Sequence, residues 1–282
     1  MLGSQIKNIR TAKGITQLEV AQFANITQST YSKFEKDLIE VRGSFLIKIL
    51  DALDIPLQEF NFIQNNYKLP KKEIILNNFF NAPYNNQQLL SNISKECATL
   101  LNYCDSALIQ DIQILCKSLS NILAKDNFEE ARKYSKVIWE RLSKNNDLYL
   151  YDLYLLNAIL FIFPLNEMRE IHKYLMRGFK RYEDFPNIKR ISVNTSLNVA
   201  VILIMEHLYE EALIEIESIL PLCKEQKVFI PLAIGYIRKG ICLNQLSKNG
   251  DNLINKGLTI LKVLEEFDTY ENMKKELVNF NI

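Results

Sequence analysis

Residues 16–36 encode two short helices joined by a tight turn, and that pairing restricts the fold of this chain more than any other feature. Thr16 and Glu19 have capping-box spacing, so a helix starts at Gln17. Its apolar face is Leu18, Val20, Ala21 and Ala24. Asn25-Ile26 form the turn, and Ile26 points back as a core plug. Thr27 caps the next helix. On that helix Tyr31 and Phe34, at i and i+3, face inward, which leaves Gln28, Ser29, Thr30, Ser32 and Lys33 outward. Upstream, Ile6, Ile9 and Arg10 belong to an amphipathic helix ending near Gly14, a residue suited to a C-cap. Downstream, Phe45-Leu46, Ile49-Leu50 and Leu53 space a fourth helix, and Ile55, Leu57, Phe60 and Phe62 close a fifth.

Short polar side chains on the outer face of a small helix suit the major groove of double-stranded DNA. In a helix-turn-helix the second helix offers its N-terminal residues to base edges while the first crosses the backbone. Gln pairs two-pronged with adenine, and Ser or Thr with several edges. The expected DNA contacts are Arg10, Lys13, Gln17, Thr27, Gln28, Ser29, Thr30, Ser32 and Lys33. Gln17 begins its helix and is placed to hold a phosphate, aided by the positive helix terminus. Arg10, Lys13 and Lys33 add non-specific attraction. Charge agrees: residues 1–36 carry five basic and two acidic side chains, residues 37–59 two basic and five acidic. A net charge of +1 argues against a polycation that coats nucleic acid.

Residues 3–62 resemble the Xre/Cro-type helix-turn-helix. More narrowly, Ser29-Thr30-Tyr31-Ser32-Lys33-Phe34-Glu35-Lys36, Phe45-Leu46-Ile47-Lys48-Ile49-Leu50-Asp51 and Leu57-Gln58-Glu59-Phe60 resemble the Rgg/GadR/MutR family of Gram-positive transcription regulators. The resemblance extends, more weakly, over the rest of the chain. It implies a homodimeric DNA binder with a helical-repeat domain, often sensing a short secreted peptide after import. Some relatives link their DNA-binding domains by a disulfide; no cysteine precedes Cys97 here, so that device is absent.

At 282 residues the chain is long for one core and sufficient for two domains. Only 8 Gly and 7 Pro favour an all-α protein with short connections. The five cysteines form no CxxC pair and read as reduced, mostly buried thiols of a cytoplasmic protein. The N-terminus patterns as a helix rather than a signal peptide, and no membrane partner is expected. The apolar run 155–165 is broken by Asn157 and Pro164 and is too short to span a bilayer. The expected division is a DNA-binding domain over 1–64, a polar linker over 65–70 ending in Pro70, and a helical repeat domain over 71–282. A second polar break falls at 81–88.

Asn127-Phe128-Glu129-Glu130-Ala131 and Leu208-Tyr209-Glu210-Glu211-Ala212 share an aromatic, two acids and an alanine. With Ile171 and Ile254 as equivalents of Ala131 and Ala212, the steps are 40, 41 and 42 residues. This spacing predicts a tetratricopeptide-like α-solenoid of roughly five hairpins. The first helices of its pairs, near 104–124, 148–163, 187–206 and 230–246, line the concave face. Lys117, Asn157, Asn198 and Arg238 recur at the repeat interval, and Asn194 lies one turn from Asn198. Asn is unwelcome in mid-helix, but its carboxamide both donates and accepts. The expected peptide-binding residues are Lys117, Tyr154, Asn157, Asn194, Asn198, Ile234 and Arg238, with Arg or Lys taking the terminal carboxylate. Phe161, Phe163 and Ile237 join the apolar wall. Asparagines that are solvated or hydrogen-bonded within the solenoid are the plain alternative.

His172 and His207 stand apart, and no phosphate-loop, metalloprotease or nucleophile-elbow motif is present, so neither an enzyme, a cofactor nor a metal is expected. The expected protein is a cytoplasmic, dimeric, DNA-binding regulator controlled by a short hydrophobic peptide. The alternatives are a regulator of the same build without a peptide, and a repeat-based interaction module whose helix-turn-helix has lost DNA.

Overall fold

The structure is a computed structural model that describes residues 2–80, 86–125 and 127–280. The polar break expected at 81–88 lies mostly outside them. Among the described residues the regular structure is α-helix with one short 3-10 turn. The chain divides into two compact units, Met1–Asn78 and Phe79–Ile282.

The first unit begins with α1 (Leu2–Ala12), α2 (Gln17–Ala24), α3 (Gln28–Glu35), α4 (Gly43–Ala52) and α5 (Leu57–Gln64). The caps explain the boundaries. Thr16 Oγ1 accepts from Glu19 N at 3.2 Å, and Thr16 N donates to Glu19 Oε2 at 2.7 Å. Thr27 Oγ1 accepts from Thr30 N at 3.1 Å. Asn25 takes the left-handed conformation at φ 56° and turns the chain between α2 and α3. Ile6, Val20, Ala21, Ala24, Tyr31, Phe34, Ile49, Leu50, Leu53 and Phe60 form the core, with Ile26 packed against its edge. Leu18 departs from expectation: it is 48% exposed, because Val20, Ala21 and Ala24 already fill the inward face of α2. The expected linker 65–70 lies inside this unit, and the division falls within α6 (Lys71–Phe80).

The second unit continues with α7 (Gln87–Leu101), α8 (Ala107–Lys125), α9 (Phe128–Leu142), α10 (Leu150–Ile159), α11 (Leu165–Arg181), α12 (Ile188–Met205), α13 (Tyr209–Glu225), α14 (Phe229–Gln245), α15 (Asp251–Val263) and α16 (Phe267–Asn279). Four hairpins follow one another, α8/α9, α10/α11, α12/α13 and α14/α15, with α7 packed before them and α16 after. Their first helices also pack on one another, α8 on α10 and α12 on α14, and so make the inner layer. The repeat-equivalent residues Ala131, Ile171, Ala212 and Ile254 are all buried, each near the start of a second helix. α12 is long and apolar enough to cross a membrane, yet 56% of it is buried inside this unit.

Close packing joins α14 to α15. A Cβ on Gly257 would stand 2.5 Å from Ala233 O and 2.6 Å from Ile237 Cγ1. Gly257→Ala therefore forces the hairpin apart, and we expect a loss of about 1–3 kcal/mol in urea unfolding. Gly43→Ala, whose Cβ meets nothing within 4 Å, is the tolerated control.

Candidate nucleic-acid interface and inner face of the solenoid

The outward residues of α3 are set by a buried polar centre beneath them. Arg10 Nε and Nη2 donate to Glu35 Oε1 and Oε2 at 2.5 and 3.0 Å. Arg10 Nη1 donates to Ile15 O at 2.7 Å, and Gln17 Nε2 to Glu35 Oε2 at 2.7 Å. The Glu35 side chain is fully buried and that of Arg10 only 10% exposed. One carboxylate thus ties α1, α2 and α3 together. Burial works against its ionisation, but the bonds from Arg10 and Gln17 outweigh it and hold its pKa below the usual range.

This geometry corrects the expectation for Arg10, whose guanidinium is committed to Glu35 and Ile15 rather than free for phosphate. Gln17 is half-buried with its amide N–H turned inward, which leaves its carbonyl oxygen and the helix terminus. Thr27 spends its hydroxyl on the cap and on Thr30 Oγ1, 2.8 Å away. Lys13 is exposed and reaches Asp54 O at 3.5 Å. Gln28, Ser29 and Lys33 are exposed and Ser32 half-buried, all from one helix. Sequence reasoning passed over Glu35 and Asp37. Glu35 lies four residues after Tyr31, and Arg10 four after Ile6, so helical spacing already put both on inward faces. Asp37 carried no such signal: it accepts from Gly3 N at 2.8 Å and Ser4 N at 3.2 Å, capping α1 across the fold.

On the solenoid, Asn194 and Asn198 are exposed on α12, and Lys117 is exposed on α8. Asn157 is half-buried, its Oδ1 2.7 Å from the Thr195 hydroxyl. Tyr154 is half-buried and packs edge-on against Phe80 at 5.2 Å between centroids; burial raises its hydroxyl pKa. Ile234 is half-buried, whereas Ile237 and Phe163 are core residues and drop out of the expected wall. Arg238 is a second correction. Its Nε and Nη2 donate to Glu276 at 2.8 and 3.0 Å, and its Nη1 to Leu197 O at 2.7 Å. With 10% of the side chain exposed, it clamps α12, α14 and α16 and is not open to a ligand carboxylate. His172 lies 3.7 Å from Glu215; burial lowers its pKa against that carboxylate's opposing pull. Among the described residues no group of three or more His, Cys, Asp or Glu side chains could hold a metal ion.

The Glu35 carboxylate makes acid stability of the first unit testable. A folded pKa below the unfolded one contributes stability in full above about pH 4.3 and loses it as pH falls through the folded value. We expect Glu35→Gln to flatten that acid limb in thermal melts. At neutral pH it should cost about 3–5 kcal/mol, the range for breaking one side of a buried pair.

A model of the helix-turn-helix family matches residues 6–60, and a model of the C-terminal domain of the HTH-type transcriptional regulator Rgg matches residues 87–275. No curated protein sequence matches the chain. Among solved structures, a candidate transcriptional regulator from Listeria monocytogenes aligns with a TM-score of 0.78 at 17% identity, covering 99% of this chain and 96% of that one. The SHP pheromone receptor Rgg2 of Streptococcus dysgalactiae aligns at 0.75 and 18% identity over 99% of both chains. Bacillus thuringiensis PlcR, solved with the peptide PapR7 and DNA, aligns at 0.65 and 20% identity, covering 96% of this chain and 98% of that one. At such identities these likenesses establish the fold. The Rgg model covers well over half of the chain, downstream of a matched helix-turn-helix, and the chain therefore belongs to the Rgg family of HTH-type transcriptional regulators.

Proposed function

We propose that this regulator reads double-stranded promoter DNA with the outer face of α3, works as a homodimer in the cytoplasm, and is controlled by a short hydrophobic peptide held on the inner layer of its solenoid. The observation that carries the reading is the exposed pair Asn194 and Asn198 on α12, an inner-layer helix with ten of its 18 residues buried, in a chain that also has a reading head. Carboxamides there serve a peptide backbone and have no packing role. PlcR, of similar fold, was solved with both a peptide and DNA, and Rgg2 is described as a pheromone receptor, which supports the reading.

On the DNA side, Gln28 and Ser29 address base edges, Lys33 and Lys13 address phosphates, and the start of α2 at Gln17 meets the backbone. A single head contacts few bases, so two-fold pairing on a palindromic site supplies the remaining affinity. Selection from a random duplex pool is expected to yield one preferred sequence. Gln28→Ala should relax preference at one position of each half-site at a cost of about 1–3 kcal/mol. Lys33→Ala should weaken all sequences alike and reduce the salt slope by about one. An empty selection with purified protein, with or without co-purified small molecules, would refute the DNA reading. For the sensor, native mass spectrometry of protein purified from its host is expected to reveal a bound peptide that Asn198→Ala loses while keeping its melting temperature.

A further inference from the structure

We propose that Arg190 anchors the C-terminal carboxylate of the peptide, and that the exposed stripe of α12 fixes its direction and a length of about seven residues. This rests on the peptide-sensing reading above and adds polarity and register to it.

α12 buries ten residues, from Ile188 through Val199 and Ala200 to Ile204. Its exposed residues are Arg190, Asn194, Asn198 and Met205. At about 100° per residue these four fall within an arc of about 80°, and the half-buried Val201 fills the gap between Asn198 and Met205. The stripe therefore runs along the helix axis as a cation, two carboxamides and an apolar end, in that order.

The spacing matches an extended chain. Residues four apart on a helix are separated by about 6 Å along the axis, and residues two apart on a strand by about 6.6 Å. Arg190, Asn194 and Asn198 thus meet alternate residues on one edge of a peptide laid along α12. From Arg190 to Met205 the axis rises about 22 Å, the span of about seven extended residues. Asn carboxamides at that interval satisfy backbone N–H and C=O groups. The free guanidinium at the end takes a carboxylate through two parallel bonds.

Arg190 suits this role because the other cations are occupied or displaced. Arg238 is closed by Glu276 and Leu197. Lys189, next to Arg190, is paired with Glu225 at 3.0 Å. Lys117 is exposed but stands on α8, with α10 between it and the asparagines in the stack. Arg190 makes no ion pair among the described residues and lies four residues from Asn194 on the same face.

The test uses immobilised full-length protein and two synthetic pools of apolar heptapeptides, identical except that one ends in a free carboxylate and the other in an amide. Retained peptides are quantified by mass spectrometry. Wild type is expected to favour the acid pool at least about tenfold. Arg190→Ala should bring the ratio near one, and Arg190→Lys should keep part of it. Lys117→Ala should leave the ratio intact, and Asn198→Ala should lower retention of both pools alike. Helical melting curves confirm that each variant is folded. Retention without acid preference in wild type, or a preference that survives Arg190→Ala, overturns the role of Arg190 and leaves peptide sensing standing. Retention of neither pool by wild type overturns both readings.

Discussion

The buried pair of Arg10 and Glu35 is the constraint on which the reading head depends. Three helices meet at one carboxylate: α1 through Arg10, α2 through Gln17, and α3 as its owner. Burying two charges is expensive, and the cost is offset only when every lone pair and proton finds a partner. The bonds to Ile15 O and Gln17 add two partners around this pair. Small apolar side chains such as Val20, Ala21 and Ala24 tolerate sliding and rotation of neighbouring helices; a two-pronged guanidinium–carboxylate contact does not. The angle between α2 and α3 follows from that contact and from the left-handed turn at Asn25, and it decides where Gln28 and Ser29 point.

The same physics recurs at the far end of the solenoid. Arg238 joins three consecutive inner helices by bonding Glu276 on α16 and the backbone of Leu197 on α12. Leu197 immediately precedes Asn198, so the clamp steadies the stretch of α12 that carries the exposed carboxamides. The solenoid's apolar stacking comes from buried Leu and Ile side chains, with small residues such as Ala131, Ala212 and Gly257 among them. Its polar stitches, such as Ser118 Oγ to Ala131 O at 3.0 Å, hold neighbouring helices in register.

Local chemistry was legible in the sequence, and long-range pairing was not. Thr16 with Glu19, Thr27 and Asn25 set helix boundaries within a few residues of themselves, and the structure has them where spacing put them. The inward positions Ala131, Ile171, Ala212 and Ile254 were readable because one hairpin repeats another. Leu18 was misjudged because apolarity alone does not tell the centre of a helix face from its edge. Arg10 and Arg238 were misjudged for a shared reason: a cation at a plausible spacing looks free until its partner is known. Those partners stand 25 and 38 residues away. Arg190, proposed above as an anchor, carries no repeat signal, because Asn194 and Asn198 lie one and two turns from it on the same helix rather than at equivalent positions of other hairpins.

The proposed stripe on α12 accounts for binding but not for signalling. A ligand shifts a two-state equilibrium only by its unequal affinity for the two states, and turning 1:99 into 99:1 needs about 5.5 kcal/mol of difference. Arg190, Asn194 and Asn198 project from a helix held on every other side, so they offer nearly the same contacts in both states. The inequality has to come from groups that exchange one partner for another. Asn157, bonded to Thr195, and Tyr154, packed edge-on against Phe80, are two partly exposed inner-layer residues with a partner to exchange. Phe80 closes α6, the helix inside which the chain divides into its two units. On the proposed reading, an apolar peptide side chain that competes for the face of Tyr154 disturbs its packing with Phe80, so that peptide side chains rather than peptide backbone would carry the signal.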